Sequence, residues 1–302
     1  MFVKLQIENY RCLRSVSIDL EPLTVFVGAN ATGKSSAFAA MSEKFGPNDV
    51  WARASNAPIT ASLARDDGKV ESRAWRQGHD VLLSVHFPRI RRLQLDLEVL
   101  RSHEGLQEVH ELAPNGAGLA NLFASLPRRS QDAVAQQLCR LVPLFQDVGT
   151  RPSTTGLHRI VFQDRWHPSL WYEPNEVSDG TILMLTYLLL GHWSPPPEVI
   201  AIEEPERGLH PYLLGQLVDT LRQLAEGKLG PQPVQILLAT HSAELLEFVR
   251  PEEVRFFSRS PDTGETIVRK APTDDPGWRT TLREYDGSLG DLWLSGGLGG
   301  VP

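Results

Sequence analysis

The stretch GANATGKSS, Gly28 to Ser36, constrains this chain more than any other. It carries the spacing G-x-x-x-x-G-K-S, follows the apolar, β-branched run Thr24 to Val27, and precedes a pattern that predicts a helix from Lys34 to Lys44. Strand, glycine loop and helix in that order are what a phosphate-binding loop needs. Gly28 and Gly33 can take backbone angles closed to other residues, so successive N–H groups can curl around phosphate oxygens. The helix adds the positive end of its dipole. Lys34 is then placed to neutralise the β- and γ-phosphates, and the Ser35 hydroxyl to ligate Mg²⁺. The nucleotide-binding residues expected here are Gly28, Asn30, Ala31, Thr32, Gly33, Lys34, Ser35 and Ser36. The plain alternative is a glycine turn followed by a chance Lys-Ser.

A nucleotide site needs a second half, a strand ending in carboxylates, because Mg²⁺ takes oxygen ligands and an attacking water must be oriented. VIAIEEPERGLHP, Val199 to Pro211, supplies one. Glu203 is expected to hold Mg²⁺ and Glu204 to polarise the water; the plain alternative is a strand ending at a turn. The next apolar strand, QILLA, ends in Thr240-His241-Ser242. His241 could donate to γ-phosphate oxygens, or be only a polar strand end. Ser178-Asp179-Gly180 reads as a helix start, with Ser178 as N-cap and Gly180 permitting close backbone approach. In a head-to-tail dimer that helix end could cover the γ-phosphate held by the other copy.

Around these motifs, Phe2 to Ile18 alternates with period two and breaks at Arg11, as a hairpin does. Ile59–Arg65, Val70–Arg76 and Val81–Phe87 predict an antiparallel meander after a breaker cluster at Phe45 to Asp49. Three arginines, Arg89, Arg91 and Arg92, open the run from Pro88 to Arg101; they suit a solvated strand edge better than a stripe for DNA. Helices are expected over Ala120–Leu126 and Ser130–Phe145, strands over Leu157–Gln163 and Leu170–Glu173, and an apolar helix after Thr181. Strand Val199–Ile202, helix Tyr212–Ala225, strand Gln235–Ala239 and a short helix after Ser242 imply a parallel sheet with crossovers. Arg255–Arg259 and Glu265–Lys270 predict a closing hairpin. The glycine-rich tail has no acidic or histidine cluster fit for a nuclease.

A net charge of −7 argues against a uniformly basic nucleic-acid binder. Cys12 and Cys139 lack the spacing of a zinc site or disulfide framework. No apolar run reaches the eighteen or so residues that span a bilayer, and the start lacks a signal-peptide core. A cytoplasmic protein without a membrane partner is expected.

Taken in order, GANATGKSS, SDGT before an apolar helix, AIEEPERGLHP and LLATHS resemble the ABC-type ATPases of the SMC/RecF and OLD-like group, often called AAA-family ATPases. The opening KLQIENYRCLRSVSIDLEPLTVFVGAN is similar to that group's first strands, and the likeness extends over nearly the whole chain. It implies an α/β P-loop NTPase of ABC-ATPase head type: a mainly parallel sheet flanked by helices, an N-terminal antiparallel β subdomain and a helical insertion. The domain expected is 1–302, with a P-loop and antiparallel β region at 1–100, a helical insertion at 101–156, and a lobe at 157–302 holding signature, Walker B and switch histidine. The resemblance implies ATP and Mg²⁺ as cofactors, Ser35 and Glu203 on the metal, Glu204 and His241 as catalytic residues, and Ser178 and Gly180 as a signature acting in trans. It also implies a head-to-tail, ATP-dependent homodimer working in DNA repair or anti-phage defence with an effector such as a nuclease or toxin, and with DNA as a candidate partner.

Three departures stand out. Ala31 replaces the group's usual glycine, Glu203 replaces its usual aspartate, and only Gln94 offers itself for a Q-loop. The chain also ends before a Toprim nuclease domain could fit. The first two favour a nucleotide-binding scaffold with little hydrolysis as a second reading. A transporter ATP-binding subunit is a third, disfavoured by the short SDG signature and by PERGLHP after the carboxylates.

Overall fold

The computed structural model describes residues 1–42, 58–76, 79–82, 87–152 and 157–298. In chain order the strands are β1 (Phe2–Tyr10), β2 (Leu13–Asp19), β3 (Leu23–Val27), β4 (Ile59–Arg65), β5 (Val70–Arg76), β6 (His79–Leu82), β7 (Ile90–Leu93), β8 (Phe145–Pro152), β9 (His158–Asp164), β10 (Trp171–Tyr172), β11 (Val199–Glu203), β12 (Gln235–Thr240), β13 (Val254–Arg259) and β14 (Thr266–Lys270). The helices are α1 (Lys34–Ser42), α2 (Leu97–Leu100), α3 (Leu119–Ser125), α4 (Arg128–Leu141), α5 (Asp179–Leu189), α6 (Pro211–Ala225), α7 (Ala243–Leu246), α8 (Trp278–Arg283) and α9 (Leu289–Leu294). Among the described residues, no helix is long and apolar enough to cross a membrane.

The chain divides into two compact units. The first comprises 1–92, 198–205 and 235–302 and holds two sheets. One is antiparallel, in the order β2-β1-β4-β5-β6, and contains the expected hairpin and meander. Its third meander strand runs His79–Leu82; residues 83–86, the breaker cluster and the end of the expected first helix lie outside the described residues. The other sheet has the order β14-β13-β3-β12-β11-β7. Strand β3 is buried at every position and sits between β12 and β13, parallel to both. A strand covered on both faces has no polar side to alternate with, and Leu23 to Val27 is accordingly apolar apart from the buried Thr24.

The register of this sheet positions the site. Thr240 lies opposite Val27, and Glu203 lies opposite Ala239, so β3, β12 and β11 end side by side. Whatever follows each strand therefore emerges along one sheet edge, where parallel α/β sheets bind ligands. Beneath it, the Phe26 ring packs between Phe38 of α1 and Phe257 of β13, with centroids 5.3 and 4.8 Å away. The buried Gln235 amide joins β12 to the antiparallel sheet: its oxygen accepts from the Phe2 N–H at 3.0 Å, and its nitrogen donates to the carbonyls of Phe2 at 2.8 Å and Glu21 at 3.0 Å. Glycine-rich though it is, the C-terminal stretch forms α8 and α9. Glu247 anchors the second through bonds from Ser288 Oγ and the Gly290 N–H, both 2.8 Å.

The second unit comprises 93–197 and 206–234. It contains α2 to α6 and a three-stranded sheet in the order β10-β9-β8. The apolar face of α4 buries Val134, Ala135 and Leu138, while α5 is buried from Gly180 to Leu189. The helix expected over Ser130–Phe145 stops at Leu141, and Phe145–Pro152 is a strand paired with β9. Pro143 is the reason: the residue before a proline is pushed out of the helical region. Val142 accordingly sits at φ −124°, ψ 83°. The 101–156 stretch expected to be a helical insertion therefore also carries β8.

Candidate functional site

The loop after β3 is shaped by what a side chain cannot do there. A Cβ on Gly28 would stand 2.3 Å from the Phe257 carbonyl oxygen, and one on Gly33, at φ +109°, would stand 2.6 Å from Thr266 Oγ1. The Phe257 carbonyl cannot yield without moving β13, and the left-handed angle at Gly33 is closed to most side chains, so glycine is required at both places. Between them, Ala31 sits at φ +61° and Thr32 Oγ1 donates to the Ala29 carbonyl at 2.8 Å. A non-glycine residue in the left-handed region costs roughly 1 to 2 kcal/mol. The surroundings hold it: Arg259 Nη1 donates to the Ala31 carbonyl at 3.1 Å, and Thr266 Oγ1 to that of Thr32 at 2.8 Å.

Helix α1 starts at Lys34, and the Lys34 ammonium folds back to donate to the Gly28 and Ala29 carbonyls at 2.6 and 2.8 Å. Ser35 Oγ donates to Glu203 Oε2 at 2.6 Å, joining the first helical turn to the end of β11. The other Glu203 oxygen, Oε1, takes Arg92 of β7, with Nε at 2.6 Å and Nη2 at 2.5 Å. Both side chains are largely buried, 11% exposed for Glu203 and 24% for Arg92.

Glu204 follows at φ +46°, its N–H still bonded to the Ala239 carbonyl at 2.8 Å. Leaving the strand in the left-handed region gives the adjacent glutamates different partners. Glu203 meets Ser35 and Arg92, while Glu204 Oε1 lies 3.5 Å from His241 Nδ1, with both side chains about half exposed. Thr240 Oγ1 accepts from the Ser242 N–H at 2.9 Å, and Ser242 caps α7, so the segment carrying His241 is fixed on both sides.

These groups line one open pocket of about 370 Å³. Of the residues expected from the sequence, Asn30, Ala31, Thr32, Gly33, Lys34, Ser35, Ser36, Glu203, Glu204 and His241 face it. Gly28 stands behind, shaping the loop. Arg11, Cys12 and Arg259 also line the pocket. The sequence marks Arg11 only as a hairpin break and Arg259 only as a strand end. The backbone of Arg11 is distinctive, held at φ +50° in the tight turn between β1 and β2. Arg92, read as a solvated edge residue, belongs to this site through Glu203.

The donor set suits a magnesium nucleotide. Ser35 and Glu203 offer two hard oxygens side by side, and Mg²⁺ binds through one or two such groups plus water and phosphate oxygens. Among the described residues no group of three or more His, Cys, Asp or Glu could hold a metal.

Ser178 and Gly180 lie in the second unit. Ser178 caps α5 by accepting from the Thr181 N–H at 3.3 Å, and a Cβ on Gly180 would stand 2.8 Å from Leu213 of α6. Arg101 ties down the approach to this helix, donating to the carbonyls of Pro174 and Val177 and to Asp179 Oδ1.

The comparisons with known proteins agree with this architecture. A family profile described as "AAA domain, putative AbiEii toxin, Type IV TA system" matches residues 47–247, about two thirds of the chain. A second, described as "AAA ATPase domain", matches residues 1–68 and includes the glycine loop. No curated protein matches in sequence. Among solved structures, the SMC head domain from Thermotoga maritima matches with a TM-score of 0.57 at 14% identity, covering 89% of this chain and 98% of that one. An SMC head crystallised with the C-winged helix domain of ScpA gives 0.57 at 13% identity, covering 91% and 99%. An SMC head with an extended coiled coil, bound to the C-terminal domain of ScpA derived from Pyrococcus furiosus, gives 0.54 at 11%, covering 94% and 99%. At such identities the likeness speaks for the fold alone. The chain belongs to the AAA-domain family of the first profile, and its fold is that of an SMC-head-like α/β P-loop NTPase.

Proposed function

We propose that this protein binds and hydrolyses ATP and works as a switch, two copies closing head to tail around two nucleotides and separating after hydrolysis. The observation that carries the reading is the convergence of Lys34, Ser35, Glu203, Glu204 and His241 on one pocket at the ends of three parallel strands. Lys34 would exchange its loop carbonyls for phosphate oxygens, and the loop N–H groups would hold the triphosphate. Ser35 and Glu203 would hold Mg²⁺, which supplies neutralisation of phosphate charge. Glu204 would orient the attacking water and take its proton as the new P–O bond forms and the bond to the β-phosphate oxygen breaks, leaving ADP and phosphate. His241 would steady Glu204 and donate to the γ-phosphate. Ser178 and Gly180 would complete the site from the second copy.

The proposal extends to an effector and a setting. The family description names a toxin of a type IV toxin–antitoxin system, and the SMC head relative is bound to ScpA. Both favour a partner protein that reads the closed state, in anti-phage defence or DNA maintenance. A second reading, a nucleotide-binding scaffold with slow turnover, is favoured by Ala31 in the left-handed region and by Glu203 already paired with Arg92.

Phosphate release and size-exclusion separate the readings. Lys34→Ala should abolish ATP-dependent phosphate release. Glu204→Gln should lower it about 100-fold or more while accumulating an ATP-dependent dimer. Equal release by wild type and Lys34→Ala would defeat the enzyme, and an unchanged monomer with ATP in Glu204→Gln would defeat the closing dimer.

A further inference from the structure

One partner of an ion pair inside the proposed site, Arg92, has no part in the chemistry above. Arg92 lies on β7, the edge strand beside β11, and delivers Nε and Nη2 to a single oxygen of Glu203. The opposite oxygen points to Ser35. Two donors from one planar group on Oε1 leave the carboxylate a single orientation, with Oε2 directed at the first turn of α1. The pair also cancels a carboxylate charge that otherwise stands in the same pocket as Lys34, where the triphosphate would lie. A carboxylate so placed repels phosphate, and within a largely buried setting that repulsion is weakly screened.

The length of the glutamate matters to this arrangement. Its carboxylate bridges Ser35 on α1 and Arg92 on β7, two elements separated by the end of β11. Aspartate, one methylene shorter, would surrender one of the two contacts. Glu203 and Arg92 therefore form a matched pair, and glutamate at this position has a structural reason.

Resting on the nucleotide-binding reading above, we infer that Arg92 is a positioning residue for Glu203: it fixes the carboxylate toward Ser35 and offsets its charge, so that nucleotide can enter whether or not the cation accompanies it. The pair stands in for part of the cation's electrostatic work, and the dependence of nucleotide binding on Mg²⁺ is correspondingly shallow.

The test is equilibrium binding of a fluorescent ATP analogue, in Mg²⁺ and in EDTA, to wild type, Arg92→Lys, Arg92→Gln and Lys34→Ala, with thermal unfolding as a check on each fold. In Arg92→Gln, which can still donate to Glu203 but lacks the charge, affinity in EDTA should fall about tenfold and affinity in Mg²⁺ less than about threefold. Arg92→Lys keeps the charge and should hold the EDTA-to-Mg²⁺ ratio within about threefold of wild type. A ratio unmoved in a folded Arg92→Gln protein overturns the inference and leaves the ATPase reading intact. Wild-type binding that Lys34→Ala does not weaken overturns that reading, and the inference with it. Should Arg92→Gln fail to fold, an Arg92→Lys protein whose ratio departs as far as about tenfold from wild type counts against the charge-based role.

Discussion

Arg259 Nη1 donates to the carbonyl oxygen of Ala31 at 3.1 Å, and Ala31 occupies the left-handed region at φ +61°. The strand end of β13 thus holds in place the non-glycine loop residue that sits at a glycine-like backbone angle. Replacing Ala31 by glycine removes a steric cost of roughly 1 to 2 kcal/mol and adds a chain-entropy cost of roughly 0.5 to 1 kcal/mol. Ala31→Gly should therefore stabilise the protein by up to about 1.5 kcal/mol, whereas Ala31→Val, β-branched in the same region, should destabilise it. Denaturant unfolding of the three proteins decides the matter; a glycine variant less stable than wild type would show that Arg259 and Thr266 have already removed the strain.

The framework of the fold was legible because it is written in long, unambiguous signals. Val25 to Val27, Val199 to Ile202 and Ile236 to Ala239 are unbroken apolar runs, and the helix beginning at Pro211 carries a regular apolar face. What escaped depended on single residues or on side-chain reach. Pro143 is a stop signal inside an otherwise periodic stretch, and a single residue carries less weight in a periodic pattern than the residues around it do. Arg92 looked like one of three solvated arginines because a linear pattern does not say which strand lies beside β7. Once β11 is its neighbour, Glu203 falls within reach. The two glutamates at the end of β11 were visible as a pair, but their division between Ser35 and His241 follows from the turn of the backbone at Glu204, at φ +46°.

The two cysteines differ in surroundings, and that difference reports on the pocket. Cys12 lines it, with Sγ 4.0 Å from Ser36 Oγ. Burial on α4, aided by the charge of Asp147, pushes the Cys139 thiol up to about 11. Only about one Cys139 in a few thousand is then thiolate at pH 7.5, and thiolate is the reactive form. Iodoacetamide at that pH should modify Cys139 at least about tenfold more slowly in the native protein than in urea. Modification of Cys12 should slow when ATP saturates the site. Peptide mapping by mass reads both sites at once, and a Cys12 rate indifferent to ATP would place the nucleotide elsewhere.

His192 closes the 3₁₀ turn that follows α5 and makes the second unit sensitive to acid. Burial holds its imidazole below the ordinary value of 6.5, because a charged ring is poorly solvated there. Well above pH 6.5 the ring is neutral in folded and unfolded chains alike, so it contributes no pH dependence there. As pH falls below 6.5 the unfolded chain takes the proton first, and stability declines until the pH reaches the lowered folded value. The decline from this one group cannot exceed about 1.4 kcal/mol per pH unit. His192→Gln, which does not titrate, should lose less stability than wild type between pH 7.5 and 5.5. Thermal unfolding at the two pH values measures the difference, and parallel losses in the two proteins would assign the acid sensitivity to other groups.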